Sequence, residues 1–149
     1  MNAHLARFLA VVALATVAFT TRSADANAPA GRYTTSGGTV YDTNSKLTWQ
    51  QTVPSGTYTW AGAKTYCAGL NLGGAGWRLP TAKELQTIVD DSQSNPSIDT
   101  TAFPSTPAQS FWSSSPLAGS SSNAWLVDFS FGYTNNNDVS GTDYVRCVR

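Results

Sequence analysis

The sequence predicts an α+β domain in which two helices pack on short, mostly antiparallel strands joined by long irregular loops. Two segments place apolar residues at the i, i+3, i+4 spacing of helices that bury one face. Several short runs alternate apolar and polar residues and end at Gly, Pro, Asn or Asp, as strands do. The stretches between them are long and rich in Ser, Thr and Asn, which indicates loops.

The domain should begin with strands. Residues 32–41 are expected to form a short strand or hairpin broken by a Gly-Gly pair, and a polar turn follows it. In the next strand, at 47–51, alternation turns Leu47 and Trp49 inward.

The first helix is predicted over 59–70, with Thr59 as its N-cap. One face of this helix carries four residues at helical spacing: Trp60, Ala63, Cys67 and Leu70. This face should point Cys67 into the core.

The central motif joins a strand, a sharp turn and the start of the second helix: Trp77-Arg78-Leu79-Pro80-Thr81-Ala82-Lys83-Glu84-Leu85. Pro80 stops the strand, and Thr81 followed by Glu84 is a capping box. The apolar face of the helix then continues through Leu85, Ile88 and Val89.

Arg78 stands between two apolar residues and is expected to be buried at this turn. A buried guanidinium needs acceptors, because an unpaired charge in the interior costs several kcal/mol. Glu84 and backbone carbonyls are the expected partners. This structural role is favoured over the alternative, a ligand-binding arginine.

The second half of the chain is predicted to contain short strands and loops. Residues 90–106 should form a long polar loop anchored by Ile98 and Phe103. Strands are expected at 111–113, at 125–129, at 131–133 as an extension or partner of the previous strand, and at 144–148. Their connections include a Ser-rich loop at 113–123 and a polar turn at 134–138.

The first 26 residues have the features of a cleaved signal peptide. Arg7 supplies the positive charge, residues 8–19 are apolar, and Ala24-Asp25-Ala26 is an A-x-A cleavage site. The apolar run is too short to span a bilayer. We therefore expect an exported protein, periplasmic or extracellular, with a polar lead-in at 27–37 and one domain at 38–149.

Composition excludes several classes of function. After cleavage, seven basic residues face eight acidic ones, so the chain lacks the positive charge that nucleic acids or anionic membranes attract. The only histidine, His4, leaves with the signal peptide. Without an imidazole for acid–base or metal-binding work, we expect no catalytic residues and no enzyme. The alternative is an enzyme that uses a pair of carboxylates, Asp128 with Asp138 or Asp143.

Two cysteines in an exported chain most simply form one disulfide. A bond between Cys67 and Cys147 would close a loop of about 80 residues and stabilise the fold by about 4 kcal/mol in the chain-entropy model. A thiol nucleophile or a metal-binding pair is disfavoured, because no histidine would activate or complement it.

The candidate ligand-binding residues lie beside polar loops. The five tryptophans fall in predicted helices and strands and are assigned to the core. Tyr58 and Tyr133 are better candidates, because an amphipathic ring can stack on a sugar while its hydroxyl stays in water. The late polar turn adds four more candidates: Asn135, Asn136, Asn137 and Asp138. Ordinary turn chemistry is the alternative explanation for them.

Calcium is the one cofactor that the sequence suggests. Asp128, Asp138 and Asp143 supply the oxygen ligands that calcium prefers. Solvated turn residues are the alternative, and no other cofactor is expected.

Several ordered motifs resemble one family. They are Asp42, Leu47-Thr48-Trp49, Trp60-x-x-Ala63, Cys67, the central motif, Phe111-Trp112-Ser113-Ser114, Trp125-x-x-Asp128-Phe129 and Val145-Arg146-Cys147-Val148-Arg149. Over residues 38–149 the chain resembles the Lcl C-terminal domain, a domain of unknown function named from a bacterial collagen-like adhesin. That family is similar to the C-type-lectin-like fold and to the formylglycine-generating, sulfatase-modifying group.

The resemblance implies a compact lectin-like fold, a disulfide from the first helix to the last strand, and recognition on long loops. The copper-binding cysteine pair of the formylglycine-generating enzymes and the collagen-like stalk of the adhesin have no counterpart in this sequence. Oxidase activity and trimer-driven avidity are therefore not implied.

Two functions fit these observations. The first is an exported, non-enzymatic module that recognises a carbohydrate or a cell-surface polymer in adhesion. The alternative is a protein-interaction or envelope-structural module that binds another surface protein. A small concave pocket with one exposed aromatic ring would favour the first function, and a broad patch the second. The sequence does not predict an oligomeric state.

Overall fold

The computed structural model describes residues 29–149, and the predicted signal peptide lies outside these residues. The elements in chain order are β1 (Tyr33–Ser36), β2 (Thr39–Asp42), β3 (Thr48–Gln50), α1 (Trp60–Gly69), α2 (Ala82–Gln86), β4 (Ser110–Pro116), β5 (Asn123–Asp128) and β6 (Tyr133–Asp138). The predicted α+β class is confirmed. Within 29–149, no helix has the length and apolar character needed to cross a bilayer.

The first sheet is antiparallel, in the order β1-β2-β3. β1 and β2 form the predicted hairpin, and its turn consists of Gly37 and Gly38 with φ angles of 55° and 79°. These positive angles favour glycine, which has no Cβ to clash. Trp49 in β3 is fully buried, as predicted.

The last residues of the chain close the domain through isolated bridges, and not through the predicted strand at 144–148. Val148 pairs antiparallel with both Trp49 and Arg78. The backbone of Arg78 both donates to and accepts from Val148, each at 2.9 Å. The chain end therefore lies between the first sheet and the central motif.

The second sheet is antiparallel, in the order β4-β5-β6. Two predictions are wrong here. The sequence predicts a Ser-rich loop that includes residues 113–116 and a polar turn at 134–138, but residues 113–116 continue β4 and residues 134–138 belong to β6. Residues 134–138 pair with β5 throughout, and the backbone hydrogen bonds of that pairing outweigh the weak strand propensity of Asn. In β4 the register shifts between Trp112 and Pro116, which pairs with Ala124 of β5, and the Ser114 amide donates to the Pro80 carbonyl at 2.7 Å.

α1 begins where the sequence predicts. The hydroxyl of Thr59 accepts a hydrogen bond from the Gly62 amide at 3.2 Å. Ala63 and Cys67 face the core and are fully buried. Cys67 is joined to Cys147 with a Cα–Cα distance of 5.4 Å, which confirms the predicted disulfide.

α2 opens with the predicted capping box. The Glu84 amide donates to the Thr81 hydroxyl at 3.2 Å, and the Thr81 amide donates to the Glu84 carboxylate at 2.8 Å. The helix has only five residues, so Ile88 and Val89 lie beyond its end. Ile88 is nevertheless fully buried and Val89 packs against the same cluster.

The core consists of two clusters of buried side chains. One contains Trp49, Phe103 and Ile98, and the other contains Trp112 and the disulfide. The segment 90–106 is an irregular loop, as predicted, and the fully buried Ile98 and Phe103 anchor it. The fold thus holds its long loop by apolar contacts from within.

Candidate functional site

The Arg78–Glu84 pair shapes the corner between the central strand segment and α2. Two hydrogen bonds join the guanidinium to the carboxylate, at 2.8 and 2.6 Å. The prediction that Arg78 is buried is wrong, because 47% of its side chain is exposed. Its neighbours Trp77 and Leu79 face inward instead, and strand alternation then turns Arg78 outward.

This pair also fixes the ionisation of Glu84. Hydrogen bonds from Arg78, and then from the amide and hydroxyl of Thr81, outweigh partial burial and hold the pKa of Glu84 at about 2. The same carboxylate raises the pKa of Arg78. Both groups are thereby engaged at the corner, which supports the structural role expected for them.

Arg146 is the buried arginine that the sequence did not reveal. It is fully buried, and its guanidinium donates at 2.7 Å to the carbonyls of Gln50 and Gln51 and to the hydroxyl of Thr106. It also lies 4.7 Å from the ring centroid of Phe103. Burial lowers the pKa of Arg146 to about 9. Its role is to tie β3, the long loop and the chain end together.

A groove lies between α2 and the second sheet, and we call it the Trp125 groove. Its lining residues are Ala82, Lys83, Gln86, Ser115, Pro116, Trp125 and Thr134. Its volume is about 320 Å³, compared with about 230 and 240 Å³ for two clefts beside the long loop. This volume falls at the lower end of the range found for small-molecule sites.

The strand register places Trp125 in this groove. Trp125 and Val127 are two residues apart in β5 and share one face of the sheet. Val127 packs with Leu85 of α2 in the first core cluster, so this face is the one that α2 covers. Thr134 lies opposite Val127 in β6 and shares that face. At the other end, the hydroxyl of Ser115 accepts from the Ala82 amide at 3.1 Å and fixes the start of α2.

Trp125 differs from the other tryptophans. Trp49, Trp77 and Trp112 are buried, as predicted. Trp60 is half-buried, but its indole nitrogen donates to the Ser113 carbonyl at 2.7 Å, and the Lys64 ammonium lies over its ring, 3.4 Å from the centroid. Trp125 is also half-buried, and its side chain takes part in no hydrogen bond or ring contact within residues 29–149. The assignment of Trp125 to the core therefore needs revision.

Two polar side chains on the α2 wall of the groove resemble Trp125 in this respect. Lys83 and Gln86 are exposed on α2, and within the described part of the chain their side chains form no hydrogen bond or ion pair. Among the described residues that line the groove, Lys83 alone is charged. The groove thus offers one aromatic surface beside an ammonium, an amide and hydroxyl groups.

β6 divides the predicted ligand-binding residues between two faces. Residues paired across strands share a face, and neighbours along a strand alternate. Asn136 lies opposite Trp125 and Asp138 opposite Asn123, so both are on the face of the groove. Three others are on the opposite face: Tyr133, Asn135 and Asn137. Asn136 is therefore the predicted residue that the structure brings beside Trp125.

Tyr58 lies on the α1 side of the sheet, away from Lys83 and Gln86. Its ring centroid is 5.0 Å from that of Tyr66, and its carbonyl accepts from the Trp112 indole at 2.7 Å. Its backbone pairs with Asp143, whose carboxylate accepts from the side-chain amide of Asn137 at 2.9 Å. The structure thus links Tyr58 to Asn137 and not to the Trp125 groove.

The three candidate calcium ligands do not meet at one point. Asp128 lies at one end of the β5–β6 pair and Asp138 at the other. Burial raises the pKa of Asp143, and hydrogen bonds from Ser140 lower the pKa of Asp138. Among the described residues, no three His, Cys, Asp or Glu side chains are grouped so that they could hold a metal ion. Calcium dependence stays a prediction, but these three carboxylates do not form one common site for the ion.

Comparison with known proteins agrees with the motifs of the sequence. A model of the Lcl C-terminal domain matches residues 38–149, which include both helices, every strand except β1, and the Trp125 groove. No curated protein matches the sequence. The chain belongs to the Lcl C-terminal domain family, which associates it with adhesin modules.

Proposed function

We propose that the protein is an exported, non-enzymatic module that binds a carbohydrate or a surface polymer in adhesion, on a C-type-lectin-like fold. The observation that carries this proposal is the Trp125 groove. It combines a half-buried indole with the side chains of Lys83 and Gln86, which form no hydrogen bond or ion pair within residues 29–149. Family membership supports the link to adhesion.

The chemistry of the groove fits a sugar ring. A pyranose has an apolar C–H face that can lie on an aromatic ring and a rim of hydroxyls that need hydrogen-bond partners. Trp125 supplies the ring, and Gln86 and Lys83 supply an amide and an ammonium at its edge. Because part of the indole is already packed, little side-chain entropy is lost when a ligand binds.

The function proposed for this groove is binding and not hydrolysis. Glycoside hydrolysis generally requires two carboxylates that flank the scissile bond. None of the residues that line the Trp125 groove is Asp, Glu or His. The disulfide supports export, because such bonds persist mainly in oxidising compartments.

A protein-interaction or envelope-structural role is the second candidate. It is favoured by β6, whose six residues are all exposed, and by the ring of Phe131, which is 65% exposed in the turn before β6. These features would form a broad surface and not a pocket. The two candidates therefore predict different sites on one sheet.

A glycan and polysaccharide array, run with and without calcium, tests the proposal. For any sugar that binds, Trp125→Ala should weaken the affinity about tenfold or more, because it removes the aromatic anchor. Tyr133→Ala is the matched control, since it removes an exposed ring from the opposite face. Unchanged melting curves would show that both variants are folded.

Two results would count against this function. If no glycan binds, the protein-interaction alternative is favoured. If Tyr133→Ala loses binding while Trp125→Ala retains it, the site lies on the opposite face and the Trp125 groove is rejected.

A further inference from the structure

The outer edge of β6 can be mapped from the strand register. In an antiparallel pair, residues alternate between those that bond to the partner strand and those whose N–H and C=O groups point away. The bond from the Val139 amide to the Ser122 carbonyl, at 2.9 Å, assigns the odd-numbered residues to the inward set. The outward amides are then those of Thr134, Asn136 and Asp138. Within residues 29–149, no strand pairs with this edge.

Side chains already occupy two of these three outward amides. Asn135 Oδ1 accepts a hydrogen bond from the amide of Asn136, and Asn137 Oδ1 accepts one from the amide of Asp138, both at 2.8 Å. The carbonyl of Asp138 also accepts from the Gly141 amide, at 2.9 Å. An added strand would need these groups as its partners. It would have to displace both asparagine side chains first.

The strand has few of the other devices that protect an edge. All six of its residues are exposed, and none of them is Lys, Arg or Pro, which are the residues that usually prevent edge-to-edge pairing. Its single charge, Asp138, is at one end. Residues opposite each other across an antiparallel pair must both point outward, so pairing of β6 with its own copy about a twofold axis through Asn136 would place Asp138 opposite Thr134 of the copy and not opposite another carboxylate. Charge repulsion alone would therefore not prevent self-pairing.

We infer that Asn135 and Asn137 block strand addition at β6 and so prevent a second copy of this chain from pairing there. The hydrogen bonds of these two side chains satisfy the outward amides locally. This role is independent of ligand binding in the Trp125 groove. It explains asparagine at these two alternate positions by backbone chemistry, and the side-chain amide of Asn137 also donates to the Asp143 carboxylate.

The test is a double variant, Asn135→Val with Asn137→Val, which removes both acceptors and adds strand-favouring side chains. The matched control is Thr134→Val with Asn136→Val, which makes two substitutions to valine in the same strand but leaves both acceptors in place. The mass in solution, measured by sedimentation over a range of concentrations, should rise for the first variant only. If both variants stay at the parent mass, or if both assemble equally, the inference is wrong.

Hydrogen exchange on the unmodified protein gives a second test that does not depend on how the variants fold. The amides of Asn136 and Asp138 should exchange about fivefold or more slowly than their unprotected rates, as expected for one modest hydrogen bond each. If both exchange at unprotected rates, the side-chain bonds do not persist in solution and the inference fails.

Discussion

Truncation of Arg146 should destabilise the protein more than any substitution of an exposed arginine. The side chain is fully buried, and it is the donor for two carbonyls of β3 and the turn after it, and for the hydroxyl of Thr106. Arg146→Ala would leave these acceptors without their donor and would open a cavity beside Phe103. Both consequences lower the free energy of unfolding.

The magnitude follows from these contacts. A buried polar group that loses its partner costs about 1 to 3 kcal/mol, and deletion of a large buried side chain adds a cavity cost. Part of this is offset, because the truncation also removes a desolvated charge. Within the described residues, the ion pairs involve Arg32 and Arg78 and not Arg146. We therefore expect a net loss of about 3 kcal/mol, a large share of the 5 to 15 kcal/mol that stabilises a typical domain.

Urea unfolding with the disulfide intact, followed by tryptophan fluorescence, measures this loss. Arg146→Met separates the two causes, because it keeps most of the volume but donates no hydrogen bond. Arg78→Ala is the exposed control and should cost about 1 kcal/mol or less. If Arg146→Ala unfolds within 1 kcal/mol of the parent, or costs no more than Arg78→Ala, the assigned role of the buried guanidinium is wrong.

Three further predictions follow. The folded-state pKa of Glu84, about 2, lies below that of an unfolded glutamate, so its stabilisation is present above about pH 5 and is lost as the pH falls toward 2. For this partly exposed pair the loss should be about 1 kcal/mol. In the Glu84→Gln variant the melting temperature should therefore change less with pH over that range than it does in the parent. Equal slopes of melting temperature against pH in the two proteins would contradict this. Reduction of the disulfide should lower the free energy of unfolding by about 4 kcal/mol. Mass spectrometry of the intact protein should show no alkylation of Cys67 or Cys147 before reduction. Asn136→Ala should weaken ligand binding more than its neighbour Asn137→Ala, and the reverse order in a binding assay would place the ligand on the opposite face.

The sequence predicted those parts of the fold that depend on neighbouring residues. The capping box needs only Thr81 and Glu84, three residues apart, and the N-cap of α1 needs only Thr59. The first hairpin follows from adjacent glycines between short strands. In each case the groups that satisfy the backbone lie within one turn of the chain, so their spacing is visible in the sequence.

The features that the sequence did not predict depend on contacts between distant parts of the chain. β6 is a strand because β5 pairs with it, although its Asn-rich sequence favours a turn. Arg146 lies between the buried Val145 and Cys147, and simple alternation does not bury three consecutive residues. Its acceptors are about 40 and 95 residues away, so no local spacing identifies them. Trp125 likewise lies in a groove formed with α2 and β4, and the positions of these distant elements are not visible in the residues around it.

The turn before β6 decides which of its asparagines faces the groove. Gly132 has a φ of 83°, and a Cβ built there would lie 2.6 Å from the Val89 side chain, so the turn packs closely on the segment after α2. The amide of Asn95 also donates to the Ser130 carbonyl at 2.9 Å. With the turn held in this way, Asn136 stays opposite Trp125. Because neighbouring residues alternate between faces, a slip of one residue would turn Asn136 away from the groove and change which amides point outward. Ligand binding and edge protection are therefore separate functions of one strand that depend on the same register.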